Sequence, residues 1–203
     1  MAEVSRKDLI LIIASVPHLE WRKSDHLIRL AGVDLSELNL TGLNLAHADL
    51  AGANLRGSNL TDVNLAGAEL SSADLTDAVL RGVYADGATL LDAKLVRADF
   101  RESERNCFYG THLMGANFDG ADLTDARLCG ARLSDARFCD SVLLRTNFTG
   151  ARVNKHTLFT NANMSDAIVD ELEWVGPVPV TAPKPDLSHA PVEPRWSGLK
   201  LAV

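Results

Sequence analysis

The residue types best suited to catalysis are present but scattered. The six histidines stand at positions 18, 26, 47, 112, 156 and 189, and no two have the HxxxH spacing that sets two metal ligands on one helix face. Cys107, Cys129 and Cys139 form no CxxC pair, which excludes a disulfide scaffold and a structural zinc ribbon. Cys107 and His112 come closest to a nucleophile–base dyad, five residues apart, with no third group to orient the base. There is no GxSxG, no phosphate loop and no dinucleotide fingerprint. The expectation is a chain that is not an enzyme and holds no metal or cofactor. The 27 acidic and 20 basic side chains give a net charge of −7. That balance excludes direct nucleic-acid binding by phosphate neutralisation and leaves a protein partner of unknown identity.

The elements that position these residues show in a period. Of 203 residues, 31 are Leu and 26 are Ala, and aromatics make up only 5 %. From Leu35 every fifth residue is apolar, through Leu40, Leu45 and Leu50 to Leu95 and Phe100, with Ala85 the one small member. The series resumes three residues out of phase at Phe108, runs through Leu113 and Phe118 to Val153, slips once more, and ends on Phe159, Met164 and Val169. The residue two before each centre is mostly Ala, and the one just before it is mostly Asp or Asn. All eleven glycines between residues 33 and 170 fall two places after a centre, and no proline occurs between Pro17 and Pro177.

A period of five fits neither a helix nor a flat strand. It fits a chain that turns a corner every five residues and closes one layer every 20. Successive layers then pair as parallel strands about 4.8 Å apart. The fold class expected is all-β: a right-handed quadrilateral parallel β-solenoid of about seven coils, with a short N-terminal α-helical cap. Residues 1–32 would form the cap, 33–170 the solenoid, and 171–203 a C-terminal cap segment and Pro-rich tail. In the cap, Ser5 and Asp8 read as a capping box before an apolar helix from Leu9 to Val16, and a second helix is expected over 24–30. Glu3 and Asp8 flank that apolar run and no small-residue cleavage site follows, so it reads as a cap rather than an export signal. The longest unbroken apolar run, Leu9–Ala14, is far short of the roughly 20 residues a bilayer needs, so no membrane is involved and a cytoplasmic location is expected. Trp174 is placed as a lid on the last coil. The tail holds six of the seven prolines and reads as a linker or as a docking peptide.

The A(D/N)LXX pattern resembles the pentapeptide-repeat proteins. The stretch Asn44–Leu50 and the N-terminal Ser5–Leu9 segment also resemble the repeat half of BTB-domain proteins of the potassium-channel-tetramerisation family, here without the BTB domain. The resemblance implies a non-catalytic interaction scaffold that docks partners on flat faces. In the BTB relatives that module would resemble the substrate-selecting arm of a ubiquitin-ligase adaptor. Its alternative is a DNA mimic that binds and inhibits or protects a type II topoisomerase such as gyrase. The two differ in assembly, a monomer against a C-terminal homodimer.

The phase break marks the best local candidate for a contact. Stacking at 20-residue intervals sets Ala85 directly below Phe108, and three extra residues bulge from one face. Tyr84, Arg101, Glu102, Glu104, Arg105 and Tyr109 are the candidate contact residues. The same stacking gives one outward column of Asp49, Glu69, Thr89, His112, Arg132 and Arg152. Charge changes along the rod. Residues 33–100 carry ten acids and four bases, and residues 101–170 carry nine and eight.

Overall fold

The computed structural model describes residue 5, residues 7–9, 28–104 and 110–175. These residues form a β-solenoid with almost no helix. Each five-residue unit contributes one parallel bridge to the unit 20 residues on: Asp34 to Asn54, Asn54 to Asp74, Asp74 to Lys94. Four such units make a layer. Among the described residues the only runs longer than a single bridge are β1 (Arg152–Val153) and β2 (Glu173–Trp174), which pair in parallel. The ladder is regular because each unit repeats three bonds. The N–H of a centre and of the residue two after it donate upward, as Leu50 does to Glu69 and Gly52 to Ser71, while Glu69 donates down to Ala48. These N–H groups carry the ladder, which is why proline is missing from the repeats.

The polar residue before each centre has a local role. Its side-chain oxygen accepts the N–H two residues on, as in Asn39 to Thr41 (3.1 Å), Asn59 to Thr61 (3.0 Å) and Asn147 to Thr149 (2.9 Å). Asp and Asn have the reach for this bond, so the repeat selects them to satisfy a corner amide. The corner closes with a bond such as Ala53 N–H to Leu50 carbonyl, 3.0 Å. Its third residue has positive φ, glycine at twelve places and another residue at fourteen. Eight of those fourteen are Asp or Asn, which tolerate the left-handed region better than other side chains, so glycine is sufficient there but not obligatory.

The shaft is filled by two side chains per unit. Leu35, Leu40, Leu55, Leu60 and Leu75 are fully buried, as are Ala53, Ala73 and Ala98. Where Ser58, Ser141 or Thr146 replaces the inward Ala, its hydroxyl donates to a backbone carbonyl: of Leu55 (2.7 Å), Phe138 (2.7 Å) and Leu123 (2.8 Å) respectively. The upper layers use Phe. Phe118 stacks on Phe138 at 4.8 Å, and Phe138 on Phe159 at 5.1 Å.

Several expectations are corrected. The ladder begins at Arg29, which bridges Asp49, so residues 28–30 are solenoid and not the end of a second helix. The rest of that helix and the one expected from Leu9 to Val16 lie outside the described residues, apart from Leu9 itself. At the break, Asn64 bridges Tyr84, 20 residues on, but Tyr84 bridges His112, 28 residues on. The excursion therefore holds eight extra residues rather than three. Ala85 lies below Leu113, its N–H bonded to the His112 carbonyl (2.8 Å), and not below Phe108. Phe108 keeps a spacing of five with Leu113 yet precedes the point where the chain rejoins the ladder. The expected column breaks accordingly: Thr89 bridges Asn117, and His112, Arg132 and Arg152 continue from Tyr84. Beyond residue 170 the ladder gains one more rung, β2, paired with β1, while the Trp174 side chain expected as a lid lies outside what the structure describes.

Gly82 shows where a corner admits nothing else. Its φ is +62°, and a Cβ there would stand 2.6 Å from Ser103 Cβ at the start of the excursion. Gly52 has the same conformation (φ +63°) with open space around it. Gly82→Ala is expected to lower the unfolding free energy by about 2 kcal/mol and Gly52→Ala by about 1 kcal/mol, both read from urea midpoints. Equal losses would show that Ser103 yields freely.

Candidate functional site

Counting faces from the rung of Arg29, the third carries Asn39, Asn59, Val79, Asp99 and Arg127 and the fourth Asn44, Asn64, Tyr84 and His112; the excursion leaves the third at Arg101 and rejoins on the fourth at Thr111. Its root is built like a buckle. Thr111 is fully buried; its hydroxyl donates to the Arg101 carbonyl (3.0 Å) and accepts the Gly82 N–H (3.1 Å). Ser103 is buried beside it. The Asp99 carboxylate takes Arg81 Nε at 2.8 Å, and Arg101 Nε and Nη2 each at 2.8 Å. Burial would raise the Asp99 carboxyl, but the bonds from Arg101 and Arg81 override it and hold its pKa at about 2. Arg101 is thus committed to Asp99. Glu102 leans over Gly110 and Gly130 at the corner, its Oε1 3.2 Å from where a Gly130 Cβ would stand. Glu104 is exposed. Arg105 and Tyr109 lie outside the described residues.

Above the buckle, on the fourth face, Tyr84 and His112 occupy successive rungs. Their rings lie 4.9 Å apart, tilted by 33°. Asp86 sits between them. Its Oδ1 accepts the Met114 N–H (2.7 Å), and its Oδ2 is 3.7 Å from His112 Nδ1. The charge of Asp86, and a hydrogen bond to it, push the Tyr84 hydroxyl above its ordinary range. Tyr84 remains 43 % exposed. The structure therefore brings Tyr84 to the rejoining end of the excursion, against His112, while Arg101 turns to the preceding face. Sequence reasoning missed Asp86, Asp99 and Arg81. Asp99 was visible only as one more polar residue before a centre.

Burial raises the Cys129 and Cys139 thiols, which is opposite to what a nucleophilic cysteine needs. Among the described residues no group of three His, Cys, Asp or Glu is placed to hold a metal ion. Among them, too, no helix is long and apolar enough to cross a membrane. Cys107 lies outside the described residues, and His112, its expected partner, faces Tyr84 and Asp86.

The family model for pentapeptide repeats matches in eight copies, over residues 28–67, 64–102, 107–135 and 121–155, more than half of the chain. No curated protein matches it in sequence. Among solved structures it is similar to HetL, a pentapeptide repeat protein involved in heterocyst differentiation regulation from the cyanobacterium Nostoc sp. strain PCC 7120. The identity is 22 % over 82 % of this chain and 93 % of that one, with a TM-score of 0.37. A trypsin-treated variant of QnrB1, a plasmid-mediated fluoroquinolone resistance protein, is 18 % identical over 73 % and 80 %, with a TM-score of 0.38. A pentapeptide repeat protein of the Arabidopsis thaliana thylakoid lumen is 24 % identical over 70 % and 69 %, with a TM-score of 0.29.

Proposed function

The chain belongs to the pentapeptide-repeat family, and from that premise we propose that it is a non-catalytic protein–protein interaction scaffold, its partners docking on the flat outer faces of a rigid rod. The observation that carries this reading is the pre-set outer surface. The outward Asp and Asn side chains are fixed by their own corner amides, so binding immobilises few further side chains. The filled shaft directs recognition outward. We extend the reading to a right-handed coil of about seven turns with an N-terminal cap and a C-terminal tail. Ser5 and Asp8 support the cap: Asp8 Oδ2 accepts the Ser5 N–H (2.9 Å), the Asp8 N–H reaches Ser5 Oγ (3.3 Å), and Leu9 is buried in the same core cluster as Leu30. The free thiols of Cys129 and Cys139 suit a reducing, cytoplasmic setting.

Affinity capture with the full chain tests this. A partner enriched on the wild-type rod is expected to be lost from a rod whose outward Tyr84, Arg101, Glu102 and Glu104 are replaced, with the fold kept by circular dichroism. Equal capture by both rods counts against docking around the excursion. The competing reading, imitation of duplex DNA, asks for acidic charge along the whole rod. Arg127, Arg132 and Arg152 in the upper layers oppose it. Gyrase supercoiling is expected to be unaffected at micromolar protein, and light scattering to give a monomer. Inhibition together with a C-terminal dimer would replace the scaffold by the mimic.

A further inference from the structure

We propose that the third face carries a docking patch for a short acidic segment of a partner protein, gripped by Arg81, Arg101 and Arg127; this deepens the scaffold reading and rests on it. Elsewhere on the rod the arginines that form ion pairs are matched singly with acids, as in Arg97–Asp77 (2.6 Å) and Arg145–Asp125 (2.7 Å). At Asp99 two guanidinium groups share one carboxylate. Arg127 occupies the next rung above Asp99, is exposed, and makes no ion pair among the described residues. The Gly82 N–H donates to the Arg101 carbonyl (3.0 Å) and the Phe100 N–H to the Arg127 carbonyl (2.8 Å), so the three arginines belong to successive layers of one face. A chain of net charge −7 thus gathers three guanidinium groups around Asp99, with Glu102 at the edge of the group.

The geometry favours carboxylates. Asp99 already occupies the patch as an internal example, taking the Nε and Nη2 fork of Arg101 and the Nε of Arg81. The Arg81 and Arg101 side chains stay 37 % and 40 % exposed, and the fork of Arg127 is open to an incoming acid. The size limits the occupant. Three successive layers span about 10 Å, enough for two or three carboxylates of an extended peptide. Asp62 lies on this face below the patch and Asp170 above it, and Glu102 bounds it at the corner. These acids repel a longer polyanion, so a nucleic acid fits poorly.

The test is fluorescence anisotropy of a labelled hexaglutamate peptide titrated with the full chain at low salt. Binding is expected, weakened about tenfold by Arg127→Glu and less than about twofold by Lys155→Glu. Both residues are exposed and form no ion pair among the described residues, so the two variants change net charge alike without breaking a known contact. Absence of binding, equal weakening by both variants, or tighter binding of a six-nucleotide single strand would each overturn the proposal. Peptide binding that fails while partner capture persists removes the patch alone. Capture that fails while the peptide binds removes the scaffold reading and leaves the patch.

Discussion

Replacing Phe138 by alanine is expected to lower the unfolding free energy by about 3–5 kcal/mol, the largest effect of any single core substitution here. The ring is fully buried and sandwiched. It lies 4.8 Å from Phe118 and 5.1 Å from Phe159, within 4° of parallel to both, and meets Phe148 edge-on at 6.0 Å. A globular core relaxes into such a gap by shifting helices. The shaft is walled by rungs whose spacing is fixed by backbone bonds, so the cavity persists. Phe138→Leu sets a control at about 1 kcal/mol, because Leu90 already serves two layers below in the same column. Urea denaturation followed by circular dichroism gives both values. In a solenoid each layer contacts only its neighbours, so the Ala variant is also expected to unfold its upper layers first, broadening the transition. A loss below about 1 kcal/mol for Phe138→Ala would mean that the stacked rings contribute little beyond filling space.

The architecture was legible because its signal is redundant. Leu at the centre, Ala two before, Asp or Asn one before and Gly two after are four columns reporting one period, and the family match agrees with them. The site was less legible, for a geometric reason. Pentad arithmetic treats Phe108 as a centre because it stands five residues before Leu113. Whether a residue is in register depends on which rung it pairs with, and the Tyr84–His112 bridge fixes that only in three dimensions. One wrong rung moved a whole column, so Arg132 and Arg152 were set over Thr89 instead of over Tyr84 and His112. Tyr84 itself was found, since an aromatic in an outward position is a visible departure from the repeat. Asp99 was hidden because its residue type is the consensus. Only its two arginine partners separate it from Asp74 or Asp122, and both arginines lie two residues past a rung, where any side chain is allowed.

Asp99→Asn should therefore reveal what the consensus hides. The amide keeps the oxygen that accepts the Arg101 N–H, now at 3.2 Å, and removes the charge together with the second oxygen, which accepts from Arg81 and Arg101. The native carboxyl titrates at about 2, below the ordinary value of 3.8 that it regains on unfolding. A lowered native pKa contributes stability above the unfolded value and loses it as pH falls towards the native one. The Asp99 side chain is only 10 % exposed, so solvent screens this little. The substitution is expected to cost about 2 kcal/mol at pH 7, and the gap between wild type and variant should close as pH falls from about 4 to about 2. Urea midpoints at pH 7, 4 and 2 measure it. A gap that stays constant across that window would show that the loss comes from packing and not from the ionised carboxylate. A gap that closes would establish that the excursion is fastened to the rod by charge. The buckle at its root would then be weaker in acid, while the Leu and Phe shaft beneath it, which has nothing to titrate, would hold.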